Sequence, residues 1–297
     1  MYGERGGAIL RSQVTEIEEE AMSSTETFQI PLAAAELYES RFVPAIFAEW
    51  APLAVDAAGV APGHAVLDVA CGTGIVARTA ADRLAGDGVV VGIDLNEAML
   101  TVARRTRPDI EWQQGDAAAL PFPDRSFDAV TCQMALMFFP DRAKALREMA
   151  RVVAPDGRVA IVVPASLPSQ PAYGPFVDLV SRLAGAEAAS LLGTYWACGD
   201  IDELNALVES AGLQVVDTHT HLGTARFGSP DELVATEVEG SPLIERLSDE
   251  QYASIKTEAR SVLRPFTTPD GSVDAPLRGH VVVARPRPSA VGVRPRA

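Results

Sequence analysis

The stretch VLDVACGTGIVA, residues 66–77, constrains the fold more than any other part of the chain. It begins as an apolar run interrupted by one acid, Asp68, which is the pattern of a buried strand, and it ends with helical spacing. Between the two, Gly72 and Gly74 allow the backbone to approach a bound molecule closely, while the next helix directs its first N–H groups at that molecule. This order predicts a ligand site at the carboxyl end of a strand.

Strand and helix patterns alternate on both sides of this motif. Buried apolar strands are predicted at 64–71, 88–95, 110–116, 127–134 and 158–163. Helices are predicted between them at 74–85, 96–106 and 141–153, and later at 200–212, followed by strands at 213–227 and 280–286. Apolar strands separated by helices predict an α/β fold, a Rossmann-like doubly wound sheet with helices on both faces.

The remaining segments divide the chain around one domain. We expect a single domain at 31–286, preceded by a flexible leader at 1–30 and followed by a disordered tail at 287–297. Within that domain, lid helices are predicted at 31–58, and helical lid insertions at 166–198 and 228–278.

Charge and cysteine content limit the classes of function. The chain has 25 basic and 40 acidic residues and a net charge of −15, which argues against a nucleic-acid partner because phosphate binding requires cations. The three cysteines form neither a metal pattern nor a disulfide framework, and no apolar run is long enough for a membrane span. We therefore expect no metal, no membrane span and a cytoplasmic location, and a homodimer is compatible with the sequence.

Two further acids indicate that the ligand is a nucleoside. Asp94 lies 20 residues after the glycine turn, at the end of the second predicted strand, where it can accept hydrogen bonds from both ribose hydroxyls. Asp116 ends the third predicted strand and can accept a hydrogen bond from an adenine amino group beside the N–H of Ala117. The apolar residues that can flank the adenine ring are Leu95 and Met99.

Asp68 distinguishes between NAD and S-adenosylmethionine, the two cofactors that this pattern can hold. The spacing Gly72-x-Gly74-x-x-Ala77 satisfies the relaxed fingerprint of dinucleotide sites. A dinucleotide places its pyrophosphate over this turn, where the Asp68 carboxylate would repel it by on the order of a few kcal/mol. S-adenosylmethionine has no phosphate and carries an ammonium and a sulfonium, so the same carboxylate favours it.

Four segments resemble the successive motifs of class I S-adenosylmethionine-dependent methyltransferases: VLDVACGTG, VVGIDLNEAML, GDAAALPFPDRSFDAV and EMARVVAPDGRVAIVV. The resemblance is closest to the UbiE/MenG-like branch of small-molecule enzymes (methyltransferase type 11), and it is strong over about residues 60–165. It implies a seven-stranded sheet of order 3-2-1-4-5-7-6 whose strand 7 is antiparallel, with S-adenosylmethionine as the cofactor.

The same resemblance implies a role for each motif residue. Asp94 binds the ribose, and Gln133, at the end of the fourth predicted strand, lies beside the sulfonium. Asp116 and Ala117 contact the adenine. The residues that line the methionine moiety are Asp68, Gly72, Thr73 and Gly74.

The methyl acceptor and a base are less constrained. Tyr38 and Phe42 are one helical turn apart and can face the cofactor together, although Pro44 limits that helix. An aromatic lid predicts a small apolar or aromatic acceptor, methylated on O, N or C by in-line displacement. His219 and His221, which share one face of a predicted strand, are the candidates for a catalytic base.

Three hypotheses are open at this point. The leading one is methyl transfer from S-adenosylmethionine to a small molecule. The second is an NAD(P)-dependent oxidoreductase, which Asp68 and Asp116 disfavour, and the third is a non-catalytic scaffold that binds the cofactor. The site residues also have structural alternatives, because Asp94 and Asp116 can act as helix caps and the two histidines can be satisfied or solvent-exposed.

Overall fold

The computed structural model describes residues 30–287, which are built around one seven-stranded sheet. The strands are β1 (Ala65–Val69), β2 (Val89–Asp94), β3 (Glu111–Gln114), β4 (Phe127–Gln133), β5 (Val153–Pro164), β6 (Leu213–Phe227) and β7 (Val273–Pro286). Their order is β3-β2-β1-β4-β5-β7-β6, and β7 pairs antiparallel with both β5 and β6 while β1 to β5 pair in parallel. The predicted fold class, strand order and antiparallel seventh strand are confirmed.

Helices cover both faces of this sheet. They are α1 (Leu32–Leu37), α2 (Ala51–Ala57), α3 (Ile75–Leu84), α4 (Glu97–Thr106), α5 (Arg142–Val152), α6 (Tyr173–Ala184), α7 (Ala186–Gly193), α8 (Ile201–Ser210), α9 (Pro230–Glu239) and α10 (Asp249–Leu263). Within residues 30–287, no helix combines the length and the apolar character needed to cross a membrane.

Alternation along β1 shows how the sheet divides the core. Val66 belongs to the hydrophobic cluster that includes α2, α3 and α4, whereas Leu67 and Val69 belong to the cluster on the other face with α5 and α8. Because successive side chains of a strand point to opposite faces, an apolar strand can supply both clusters at once. Asp68 and Thr131 are polar residues buried within this sheet, with 2% and 0% of their surface exposed.

The last strand begins earlier than the sequence predicts. The expected strand was 280–286, but β7 starts at Val273, so the end of the predicted 228–278 insertion is strand. Pro276 and Gly279 oppose a strand assignment from sequence alone. They are tolerated because β5 ends opposite Gly279, leaving β7 paired only with β6 before that residue. The β6–β7 ladder therefore extends beyond the carboxyl edge of the sheet as a two-stranded ribbon.

The chain also continues as a helix through Pro44. Residues Tyr38–Phe47 form a π-helix with Pro44 inside it, and the N–H of Ala48 donates to the carbonyl of Val43 at 2.8 Å. Proline lacks an N–H and clashes with the carbonyl four residues earlier in an α-helix, so the wider π turn accommodates it. The rings of Tyr38 and Phe42 stack at 5.8 Å between centroids, as their spacing predicts.

The end of α3 generates a stability prediction. Ala85 follows the helix in the left-handed conformation, with a φ of 51°, and its side chain is exposed. Glycine adopts this conformation without strain, so Ala85→Gly should raise the free energy of unfolding by about 0.5 kcal/mol, measured by urea denaturation.

Ala81→Gly is the matched control because Ala81 lies within the same helix. This change should lower the free energy of unfolding by about 1 kcal/mol. Equal destabilisation by both variants would contradict the assigned strain at Ala85.

Candidate functional site

The turn between β1 and α3 has a backbone that few side chains permit. Ala70, Gly72 and Gly74 have φ angles of 54°, 56° and 92°. A side chain at Gly74 would collide with the indole of Trp112, a β3 residue that packs under the turn. At Gly72 the nearest atom to such a side chain would be the Tyr38 hydroxyl oxygen, at 3.6 Å. The turn is therefore held from below by Trp112 and faces the π-helix from above.

Asp94 joins the end of β2 to this turn. One carboxylate oxygen accepts a hydrogen bond from the N–H of Gly72 at 2.7 Å, and the other accepts from the N–H of Asn96 at 2.8 Å. Burial raises the pKa of Asp94, and these N–H donors oppose that shift. The carboxylate is placed where the ribose contact is predicted, and the contact itself stays a prediction.

Asp68 lies deeper than Asp94. Its carboxylate accepts from the Thr131 hydroxyl at 2.9 Å and from the N–H of Ala77 at 3.0 Å, so it ties β1 to β4 and to the first turn of α3. Burial raises its pKa to about 7, against the two hydrogen bonds, and the neighbouring Asp94 raises it further. This geometry matches a carboxylate at a helix N-terminus as well as it matches an ammonium partner, so the cofactor role stays a prediction.

Three other predicted residues lie around the turn. Tyr38 covers it, and burial together with the Asp94 carboxylate raises the pKa of its phenol above the usual value. The side chain of Gln133 donates to the carbonyl of Phe47 at 3.1 Å, but its buried carbonyl oxygen lacks a hydrogen-bond partner among residues 30–287. The buried hydroxyl of Thr73 lacks one there as well. Buried polar atoms normally have partners, so both are available to a ligand.

The predicted adenine contacts lie at the ends of β2 and β3. Leu95 is exposed over 40% of its surface and Met99 is half-buried. Asp116 is exposed and accepts from the N–H of Ala118 at 2.8 Å, next to the half-buried Ala117. These four residues form an accessible edge beside Asp94, and their contact with adenine stays a prediction.

The two candidate base histidines lie elsewhere. Both project from the same face of β6, as predicted: His219 lines a cavity with Leu53 of α2, and His221 packs edge-on against Trp50 at 5.3 Å. β6 is three strand spacings from β4, roughly 14 Å, and four from β1. The structure does not bring the histidines to the glycine turn, and the base hypothesis receives no support from their placement.

A buried acid in the lid is a candidate that the sequence did not reveal. Glu237 of α9 is half-buried and lies beside Tyr173 of α6 and near Tyr195. Removal of its carboxyl group from solvent raises the pKa to about 7. The sequence feature that could have indicated this burial is helical spacing. Glu237 lies three and four residues after the buried Val234 and Leu233, so it shares their face of the helix.

Comparison with known proteins identifies the family to which the chain belongs. The family described as "Methyltransferase domain" matches residues 67–161. The demethylmenaquinone methyltransferase of Renibacterium salmoninarum is 46% identical over 128 residues, 43% of this chain and 51% of that protein. The ubiquinone/menaquinone biosynthesis C-methyltransferase UbiE of Escherichia coli is 34% identical over 184 residues, 57% of this chain and 73% of that protein.

Solved structures agree on the fold. The YcgJ protein of Bacillus subtilis superposes with a TM-score of 0.54 at 22% identity, covering 81% of this chain and 99% of that one. Strand order and glycine turn together define the Rossmann-like methyltransferase class. The chain belongs to the family of class I S-adenosylmethionine-dependent methyltransferases, in its UbiE-like branch. It spans about half the length of the Renibacterium relative.

The unpartnered Thr73 hydroxyl generates the first prediction from the site. Thr73→Val removes a buried polar atom that has no partner in residues 30–287, so the free energy of unfolding without ligand should rise by about 1 kcal/mol. If the hydroxyl serves the cofactor, affinity for S-adenosylhomocysteine should fall about tenfold in the same variant. Urea denaturation and titration calorimetry measure the two effects.

Thr131→Val is the control because that hydroxyl does have a partner, the Asp68 carboxylate. We expect this variant to lose about 1–2 kcal/mol of stability. A loss of stability in both variants would show that the Thr73 hydroxyl is satisfied within the protein.

The raised pKa of Glu237 generates a second prediction. The folded state holds this proton up to about pH 7, whereas the ordinary value is 4.5, so the folded state binds more protons in that window. Stability should therefore fall as pH rises from about 4 to about 7, by at most about 3 kcal/mol for this group. Glu237→Gln should remove that share when urea denaturation is compared at about pH 5 and about pH 8. The control Glu239→Gln alters an exposed acid and should leave the pH dependence of stability unchanged. If Glu237→Gln also leaves it unchanged, the burial of the Glu237 carboxyl group is contradicted.

Proposed function

We propose that the chain transfers a methyl group from S-adenosylmethionine to a ring carbon of a small apolar aromatic acceptor of the quinol type. The observation that carries the proposal is the glycine turn with the Asp94 carboxylate on one side and the unpartnered atoms of Thr73 and Gln133 on the other. Relatives support the acceptor class, since one is named a demethylmenaquinone methyltransferase and another, from Thermosynechococcus vestitus, a 2-phytyl-1,4-naphtoquinone methyltransferase.

The second relative matches only part of its own length. It is 42% identical over 116 residues, which are 38% of this chain and 52% of that protein. Acceptor identity therefore has to be argued from this chain's own lid, and its aromatic residues favour an apolar ring.

The residues fit the charge and polarity of S-adenosylmethionine. Asp94 would hold the ribose, Tyr38 would cover the methionine part, and Gln133 would face the sulfonium. The adenine would lie against Leu95, Met99, Asp116 and Ala117, and the methionine part against Asp68, Gly72, Thr73 and Gly74. When bound, the cofactor supplies an electrophilic methyl group and leaves as a neutral thioether.

The contribution of the protein is alignment and exclusion of water. Tyr38, Phe42 and Phe47 of the π-helix stack over the turn, with Tyr38 and Phe47 centroids 5.2 Å apart. Holding two reactants in line can lower a barrier by roughly 7–11 kcal/mol. A rigid aromatic cover suits that role because it fixes an apolar acceptor and keeps water away.

The NAD(P)-dependent alternative and the scaffold alternative receive no support from the comparisons. The neighbouring carboxylates of Asp68 and Asp94 favour a cationic ligand over a pyrophosphate. We also propose an acceptor that is not a nucleic acid, which the net charge of −15 supports, and a cytoplasmic location, which three cysteines without a disulfide pattern support. A homodimer stays a prediction.

Binding of the cofactor is the first test. Titration calorimetry should show binding of S-adenosylmethionine and no binding of NAD at equal concentration. Asp94→Ala should weaken binding of S-adenosylmethionine at least about tenfold, because the ribose loses a charged hydrogen-bond partner. Asp217→Ala, a change of an exposed acid on β6, is the control and should leave the affinity unchanged.

Methyl transfer is the second test. With radiolabelled S-adenosylmethionine and 1,4-dihydroxynaphthalene kept reduced, label should appear in a ring-methylated product. Binding of NAD, or binding of S-adenosylmethionine without transfer to any hydroquinone or phenol, would contradict the proposal.

A further inference from the structure

The lid contains an acid within an aromatic cluster. Glu237 of α9 lies beside Tyr173 of α6, and Tyr195 of the turn Thr194–Trp196 lies near both. The ring of Trp196 lies 5.3 Å from that of Tyr173. We call Tyr173, Tyr195, Trp196 and Glu237 the lid cluster.

The lid cluster approaches the cofactor site. Tyr195 lies near Tyr38, which in turn lies over Gly72 beside Asp94. The ring of Tyr195 also packs edge-on against Phe138 at 5.4 Å, and Phe138 follows the end of β4 by five residues. A molecule that reaches the methyl end of the cofactor from the lid would therefore meet these rings.

A second contact places α9 over the π-helix. Gly240 follows α9 and packs so tightly against Phe42 that a side chain there would collide with the ring. Glu237 lies three residues before Gly240, nearly one helical turn away. Since Phe42 stacks on Tyr38, the end of α9 that carries Glu237 is placed relative to the turn after β1.

The polar atoms of the lid cluster are incompletely matched. Among residues 30–287, the buried indole N–H of Trp196 has no hydrogen-bond acceptor, although it lies in the same cluster as a carboxyl group. A half-buried carboxyl and an unmatched buried donor within an otherwise apolar surface are the features that orient a ligand with a hydroxyl group. Packing alone requires neither group.

We propose that Glu237 is the catalytic base that accepts the hydroxyl proton of the methyl acceptor, with the Tyr173 hydroxyl holding its carboxylate in place. The inference rests on the proposed function and names the acceptor chemistry of the same site: an aromatic ring with an ionisable hydroxyl. Glu237 takes the role that the sequence suggested for His219 and His221.

The proton balance is simple. The O–H bond of the acceptor breaks, its electron pair stays on the acceptor oxygen, and the proton moves to the Glu237 carboxylate. Electron density from that oxygen increases the nucleophilicity of the ring carbon next to it, which forms a bond to the methyl group as the methyl–sulfur bond breaks and leaves its electron pair on sulfur. The methylated ring carbon then loses its hydrogen as a proton while the acceptor oxygen regains one, so the aromatic ring is restored and one proton is released per turnover. After the product leaves, the carboxyl group releases its proton to solvent. The titratable groups that face the carboxylate are Tyr173 from α6 and Tyr195 from the turn after α7.

A base whose pKa lies near the working pH is suited to this step, because it is both ionised and able to hold a proton. The ordinary pKa of glutamate, 4.5, would make it a weak base for a naphthol. The Tyr173 hydroxyl stabilises the ionised form and so limits the rise. Tyr173 is therefore a positioning residue whose loss should shift a pH profile rather than abolish the reaction.

The kinetic experiment uses the full chain, labelled S-adenosylmethionine and reduced 1,4-dihydroxynaphthalene. Glu237→Gln should lower kcat by about 10²–10⁴-fold with KM changed only a few-fold, and Glu237→Asp should recover part of the loss. The matched control, Glu239→Gln, alters an exposed acid that accepts from the Tyr252 hydroxyl, and it should behave like wild type. Tyr173→Phe should move the acidic limb of the kcat/KM profile to higher pH.

A binding experiment gives a readout that does not require methyl transfer. Affinity for 1-naphthol, measured by fluorescence with S-adenosylhomocysteine present, should rise several-fold between about pH 6 and about pH 8 in wild type and stay flat in Glu237→Gln. 1-Methoxynaphthalene lacks the hydroxyl group, so its affinity should be the same in both proteins at both pH values.

The outcomes separate the two proposals. Wild-type kcat in Glu237→Gln together with a wild-type pH dependence of naphthol binding overturns the base assignment and leaves the proposed function intact. Failure of wild type to bind S-adenosylmethionine overturns the proposed function and the base assignment together, because the assignment rests on that function. If Glu237→Gln does not fold, Tyr173→Phe decides, and an unshifted profile counts against the proposal.

Discussion

The site depends on one buried carboxylate, Asp68. It accepts hydrogen bonds from the Thr131 hydroxyl on β4 and from the N–H of Ala77 in α3, so three elements meet at a single side chain. A polar group in a parallel sheet is costly unless it is satisfied, and both oxygens of Asp68 are. The turn between β1 and α3 is therefore anchored on both sides, and its backbone is left-handed at Ala70, Gly72 and Gly74.

This role changes the electrostatic argument for the cofactor. The sequence suggests that Asp68 meets the ligand directly, and that contact stays a prediction. In the structure its carboxylate accepts hydrogen bonds from Thr131 and Ala77, and burial raises its pKa to about 7. Asp94, nearer the surface of the turn, raises the pKa of Asp68 further, so the two acids repel each other. A cationic ligand offsets the negative charge of both carboxylates, whereas a pyrophosphate adds to it. The preference for S-adenosylmethionine therefore comes from Asp68 and Asp94 together.

The sequence predicts most of the strands and helices because local backbone preferences agree with the tertiary packing at those positions. The predicted strand 213–227 coincides with β6, and the predicted helix 96–106 matches α4, which Asn96 caps by accepting from the N–H of Ala98 at 2.9 Å. The strand order came from the resemblance, since pairing of distant strands is not written in local periodicity. Where local preferences conflict with the tertiary structure, as at Pro44 and Pro276, the sequence alone predicts an end and the structure continues.

The residues of the site also differ in how far the sequence alone predicts them. Asp94 and the glycine turn are recognisable because strand, turn and helix are contiguous in the chain. Glu237 cannot be recognised in the sequence, because its candidate role depends on Tyr173, which is far away in the chain, and on the packing of Gly240 against Phe42. No short motif records such a contact, so the candidate base could only be found once α6, α9 and the π-helix were placed together.

The segment shared with the family and the lid segments supply different parts of the site. The methyltransferase family matches residues 67–161, a segment that builds the cofactor turn, while the lid elements lie on either side of it. A ribbon of β6 and β7 extends past the sheet, and α9 follows β6 directly, so Glu237 lies outside the segment that the family matches. Similarity can therefore identify the cofactor, whereas the acceptor has to be inferred from the chemistry of this chain's own lid.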